Sequence, residues 1–191
     1  HLVNANGRPI ASNPDQLLGN AQPDWMGGFS NTMTYGNWSL NVLIDGRFGG
    51  QVYASESAGL DSRGTSMRSL QYRESGITLT GLDPAGAANA APITGQEYWE
   101  TYSGIAENYV YDQTNIRLRE LAIGYRIPNV SSMGIESANL QLIGRNLFFF
   151  DRSAEDIDPE SMLGNNIGGQ GISGGSLPTT RSLGLNLTLK F

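Results

Sequence analysis

The last nine residues alternate without interruption: Leu183, Leu185, Leu187, Leu189 and Phe191 share one parity, and Gly184, Asn186, Thr188 and Lys190 the other. Successive side chains of a strand point to opposite faces, so this pattern specifies a β-strand with one apolar and one polar side. The same period recurs upstream. Phe29, Met33 and Tyr35 fall at odd positions, then Trp38, Leu40, Val42 and Ile44 at even ones, with Gly36-Asn37 at the change of phase. Glycine supplies the positive φ that a two-residue hairpin turn needs, and the turn keeps both apolar sets on one face. Leu121, Ile123, Tyr125 and Ile127 form a third set opposite Glu120, Gly124 and Arg126, and Leu140 and Leu142 a fourth opposite Gln141, leading into Phe148-Phe149-Phe150. The sequence therefore predicts an all-β chain with antiparallel strands at about 28–35, 38–53, 109–127, 139–150 and 182–191. In that phase Arg117 and Arg119 share the face of Leu121.

The connections alternate in length: 1–27 long, 36–37 short, 54–107 long, 128–138 short, 151–181 long. Residues 54–107 are rich in Ser, Gly, Ala and Pro, show no sustained helical period and read as a loop. Structureless connections beyond about 12–15 residues are uncommon in compact soluble domains. Short turns at one end and long loops at the other, with strands long enough to span a bilayer, are instead the pattern of outer-membrane barrels. Five strands leave two open edges, and an open edge in hydrocarbon strands unpaired backbone groups, so the expectation is a piece of a larger barrel.

Composition narrows the function classes. Twelve Lys+Arg against 18 Asp+Glu give a net charge of −6, which disfavours nucleic acid as a partner. Cysteine is absent and the single histidine is His1, which removes thiolate sites and leaves a Ser-His-Asp triad or zinc site only a chain-terminal residue to rest on. No run of about 18 apolar residues exists to form a spanning helix, and no signal peptide is seen in the sequence, neither of which excludes a barrel. No convincing pair of catalytic carboxylates is visible, and the expectation is a protein that is not an enzyme.

Six strings occur in order: Gly19-Asn20-Ala21-Gln22-Pro23-Asp24-Trp25-Met26-Gly27-Gly28-Phe29-Ser30-Asn31, Asp45-Gly46-Arg47-Phe48-Gly49-Gly50, Arg117-Leu118-Arg119-Glu120-Leu121-Ala122-Ile123-Gly124-Tyr125, Gly144-Arg145-Asn146-Leu147, Asp158-Pro159-Glu160 and terminal Phe191. Together they resemble the C-terminal part of the SusC/RagA family of TonB-linked outer-membrane proteins of Bacteroidetes. The resemblance implies that residues 1–191 are the last strands of a 22-stranded transmembrane barrel with extracellular loops at about 1–27, 54–107 and 151–181. The family's signal peptide, TonB-contacting segment and plug have no counterpart in these residues. The resemblance further implies import of oligosaccharides or peptides, a SusD-like surface lipoprotein as partner, and energy relayed through TonB.

Three groups of residues carry site expectations. Glu155, Asp156, Asp158 and Glu160 cluster carboxylates on one loop, and Asp156, Asp158 and Glu160 are the candidate calcium ligands, although the EF-hand spacing is missing and a solvated acidic loop explains them as well. No other cofactor is expected. Tyr98, Trp99 and Tyr102 could stack on a substrate or a lid protein, or simply pack the loop down. Leu187, Leu189 and Phe191 resemble the terminal-strand signal read during barrel assembly. The alternative reading is a soluble extracellular β-sandwich that binds carbohydrate, in which the apolar faces of the strands would be buried against a second sheet.

Overall fold

The computed structural model describes residues 2–11, 16–130, 134–154, 157–162, 164, 169–175 and 177–191. In chain order its elements are β1 (Trp25–Tyr35), β2 (Trp38–Phe48), β3 (Gln51–Ala54), α1 (Ser55–Ser62), α2 (Gly95–Ser103), β4 (Val110–Asp112), β5 (Asn115–Ile127), β6 (Ser137–Arg152), β7 (Ile172–Ser173) and β8 (Ser182–Lys190). They fall into two units. A sheet unit comprises Gln22–Gly50, Asp112–Ser161 and Leu177–Phe191, and a loop unit comprises His1–Ala21, Gln51–Tyr111 and Met162–Ser176.

The sheet unit is built on five antiparallel strands in the order β1-β2-β5-β6-β8, with β1 and β8 at its edges. This is an open sheet and not by itself a closed barrel. The β1–β2 hairpin turns at Gly36, whose φ of 59° a side chain would resist, and places Tyr35 opposite Trp38. From there the register carries apolar residues across the whole sheet. One row runs Met33, Leu40, Ile123, Leu142, Leu185, and the next runs Tyr35, Trp38, Tyr125, Leu140, Leu187. The neighbouring rows, on the opposite face, are small or polar apart from Ile143: Thr34, Ser39, Gly124, Gln141, Asn186 between the two, and Thr32, Asn41, Ala122, Ile143, Gly184 beyond the first. The apolar face stands uncovered, with Leu183 74% and Leu185 71% exposed.

A bulge corrects the face expected for both arginines. The pairings Ile44 with Leu118 and Leu43 with Glu120 skip Arg119, and β6 skips Asn146 and Leu147 at the same height. Asn146 takes a φ of 51° there, a left-handed conformation to which asparagine is suited. The extra residue shifts the phase, so that Leu118 joins the apolar row of Phe29, Ile44 and Phe148, while Arg117 moves to the polar face between Asp45 and Phe149.

Three other expectations are revised. The strand at 38–53 is divided at Gly49 and Gly50, whose φ values of 72° and 82° take the chain out of the sheet before β3 pairs in parallel with β7. The strand at 109–127 begins as a 3₁₀ turn at Ala106–Tyr109 and β4, and joins the large sheet only from Asn115. The loop at 54–107 contains two helices. Helix α2 is nucleated by a reciprocal cap, in which Thr94 Oγ1 accepts the Glu97 N–H and the Glu97 carboxylate accepts the Thr94 N–H. Helix α1 buries Ser57, Ala58 and Asp61, a face too small and polar to leave an apolar stripe in the sequence.

Candidate functional site

The apolar face of the sheet carries an aromatic pair near each end. Trp38 and Tyr125 pack at 4.7 Å beside the hairpin turn, and Trp25 and Phe48 at 5.3 Å at the opposite end, from which the long connections leave. Ten positions separate Trp25 from Tyr35 on β1, about 33 Å at about 3.3 Å per residue. With the tilt of roughly 35–45° found in membrane barrels, that length gives a height of about 23–27 Å, which matches an apolar band of about 25 Å between aromatic girdles.

The polar face gathers charge near the long-connection end. Arg117 is 3% exposed and bonds the Glu160 carboxylate at 2.9 Å. It also donates to Thr179 Oγ1, whose hydroxyl in turn donates to Asp158. Its buried Nε finds no acceptor among the described residues, and the guanidinium plane lies 4.4 Å from the Phe149 ring centre. Arg119 bridges Asp45 at 2.8 Å and Glu160. Burial pushes the Asp158 carboxyl up, but the hydroxyl and N–H of Thr179, the Glu160 N–H and the Arg117 charge outweigh it, and the group is held below the usual carboxylate range. Glu120 and Arg145 pair across β5 and β6 at 2.9 Å in a more exposed position, where such a contact contributes little.

The loop unit holds a second cluster. Asp61, 1% exposed, accepts the Tyr109 hydroxyl at 2.6 Å and the Ser66 hydroxyl, and faces Arg68 at 2.6 Å. Burial raises the Asp61 carboxyl, yet these three partners together lower it, while burial and the Asp61 acceptor raise Tyr109. Arg68 lies 5.0 Å from the Tyr109 ring centre and 5.9 Å from that of Trp99. At the cap of α2, Glu97 is lowered to about 2, first by the Thr94 backbone N–H and then by Arg8 at 2.6 Å. A cleft of about 410 Å³ beside α2 is lined by Arg63, Arg73, Gly95, Gln96 and Trp99 among others.

The residues singled out by sequence divide accordingly. Trp99 is 6% exposed and donates its indole N–H to the Gln71 carbonyl at 3.1 Å, so it is core and not an exposed stacking platform. Tyr98 and Tyr102 are half-buried against it, and burial pushes the Tyr98 hydroxyl up to about 12. Asp158 and Glu160 turn their oxygens to Arg117, Arg119 and Thr179, while Asp156 lies outside the described residues. Leu187 and Leu189 sit on the apolar face of edge strand β8, and Phe191 follows it, 83% exposed. The sequence marks Arg117, Arg119 and Glu120 as candidate ion-pair residues but does not reveal Asp158 and Glu160 as partners of the two arginines, nor the Asp61 cluster. The capping-box spacing Thr94 to Glu97 was the signal for the helix that supports that cluster.

No protein-family model matches the chain. The chain is 26% identical over 197 residues to the TonB-dependent receptor P3 of Formosa agariphila, covering 99% of this chain and 18% of that protein. It is 30% identical over 195 residues to the TonB-dependent receptor P26 of the same organism, covering 97% and 19%. Its fold matches the RagAB peptide transporter with a TM-score of 0.60 and the RagAB peptide importer in its closed-closed state with 0.58, each at 19% identity over 90% of this chain. By these matches the chain is similar to a stretch of a SusC/RagA-like TonB-dependent receptor. The chain spans less than a fifth of the length of the curated receptors it matches, and 17–18% of the RagAB chains. Within the chain the antiparallel sheet accounts for most of the regular structure, and helices α1 and α2 belong to the long connection between β2 and β5.

Proposed function

We propose that the chain is a stretch of barrel wall in an outer-membrane TonB-dependent importer, with β1, β2, β5, β6 and β8 among the last strands of a 22-stranded barrel. The observation that carries this reading is the pair of five-strand apolar rows lying uncovered on one face of the sheet, backed by small and polar rows on the other. Lipid covers the apolar face and the polar face lines the lumen. The role is gated passage and involves no chemistry. Oligosaccharides or peptides are the cargo, a SusD-like lipoprotein lids the mouth beside the long connections, and TonB supplies energy through a part of the receptor outside this chain. Leu187, Leu189 and Phe191 present the edge that the assembly machinery reads. A soluble sandwich would bury the face that carries Leu183 and Leu185, and no observation favours it.

The test uses an antibody against residues 182–191 on fractionated native cells, with boiled and unboiled samples compared by gel electrophoresis. The expected result is an outer-membrane band far heavier than 20.6 kDa that shifts on heating. A heat-insensitive band of that mass in a soluble fraction would contradict the reading.

A further inference from the structure

We propose that the two ends of the connection between β6 and β8, residues 158–161 and 177–180, fold inward against the lumen wall as a shelf, with Arg117 and Arg119 as the hooks that hold them there. This rests on the barrel reading, which makes the polar face the lumen side.

The two legs of that connection, 158–161 and 177–180, are tied to groups of the polar face. Glu160 bonds Arg117 at 2.9 Å and also Arg119, Thr179 accepts from Arg117, and Asn146 Nδ2 donates to the Thr180 carbonyl at 3.2 Å. Ser161 Oγ donates to the Leu177 carbonyl at 3.1 Å, which fastens one leg to the other. Asp158 knits the same junction by accepting the N–H groups of Glu160 and Thr179 at 3.1 and 2.8 Å. The bulge makes this arrangement possible. Without the extra residue at Arg119, Arg117 would follow Leu121 onto the apolar face, and its guanidinium would meet lipid instead of a carboxylate.

The electrostatics separate an anchored shelf from a loop that rests on the rim. Exposed ion pairs are individually weak because water competes for both partners. The Arg117 and Asp158 side chains are only 3% and 5% exposed, so withdrawing one partner leaves a buried charge without compensation. Two guanidinium groups face three carboxylates, Asp45, Asp158 and Glu160, so Glu160, shared by both arginines, is the member whose loss frees the legs.

The experiment uses the full-length receptor in its own outer membrane, in a background without other cysteines. Ser161→Cys, at a nearly buried position, reports on the shelf, and Leu177→Cys, at a position 90% exposed, serves as the reference. Whole cells are labelled with a membrane-impermeant maleimide. The thiol introduced by Ser161→Cys is expected to react at least about tenfold more slowly than the one introduced by Leu177→Cys, and Glu160→Gln or Arg119→Gln to remove most of that protection. Two results would overturn the shelf: equal labelling of the two positions in the otherwise unmodified receptor, or protection at position 161 unchanged by Glu160→Gln. Heat-shift gels on the same cells keep the two inferences apart. If the heat shift is kept while labelling is insensitive to the variants, the shelf fails alone; if the unmodified receptor shows no heat shift, the barrel reading fails and takes the shelf with it.

Discussion

The two units of this chain solve the problem of solvent in opposite ways. The loop unit is built for water. Val3, Val52, Ala54, Ile93, Trp99 and Tyr109 are buried, and the charge it does bury, Asp61, is matched by Arg68 and two hydroxyl groups. The sheet unit is inverted. Its leucines and aromatics stand uncovered on one face, while its most buried charge, Arg117, lies on the other face among carboxylates. In water the uncovered face would be costly, because burial of each large apolar side chain is worth about 1.5–3 kcal/mol. The contrast teaches that burial must be judged against the right solvent: on the proposed barrel reading the sheet is finished by lipid on one face and by neighbouring strands at its edges, whereas the loop unit is finished by its own side chains.

Four predictions break or sharpen this comparison. The largest effect belongs to the core of the loop unit, where Trp99→Ala should cost about 3–5 kcal/mol, read as loss of protease resistance across 55–111 with the heat shift of the barrel retained. If the barrel unfolds together with the loop unit, the two do not behave as separate units. Next comes the lipid face: Leu142→Arg, in the middle row, should cost about 2–4 kcal/mol in denaturant titrations of receptor folded into vesicles, while the adjacent Gln141→Arg should cost under about 1 kcal/mol. Equal costs would erase the distinction between the faces.

The third prediction concerns pH. The folded Asp61 carboxyl sits below its unfolded value of about 3.9, so its contribution is present above that value and is lost as pH falls through the depressed folded value. The loop unit should therefore hold its stability from neutral pH down to about 4 and lose it below, as followed by the fluorescence of Trp99 with the other tryptophans replaced. Asp61→Asn should flatten that dependence. An unchanged acid limb in the variant would assign the effect to another carboxylate of the loop unit, Glu97 being the other one there that is held low. The smallest effect is at the helix cap, where Thr94→Ala should cost about 1 kcal/mol, measured as faster amide exchange at Glu97 and Tyr98 with no change in the sheet.

What could be read from the sequence follows the same division. The alternation of β8 and the Gly36-Asn37 turn were legible because a strand with one apolar and one polar face declares it at every second residue. The phase of Arg117 was not, because a bulge at Arg119 opposite Asn146 is one residue of slip that parity alone cannot reveal. In the loop unit the elements are short and their buried faces mix Ser, Ala and Asp with aromatics, so no period marks α1, and α2 was announced only by its cap. Asp158 and Glu160 were legible as a pair but not as partners of Arg117 and Arg119, which lie about forty residues away along the chain.

The central claim is that the two faces of the sheet meet different solvents, and β8 tests it most directly. Single cysteines at positions 183 to 189 of the full-length receptor, labelled with a fluorophore in native-like bilayers, can be quenched in turn by doxyl lipids and by iodide in the water. Strict alternation is expected, with 183, 185, 187 and 189 quenched from the lipid and 184, 186 and 188 from the water. Quenching by iodide at every position, with no alternation, would contradict it.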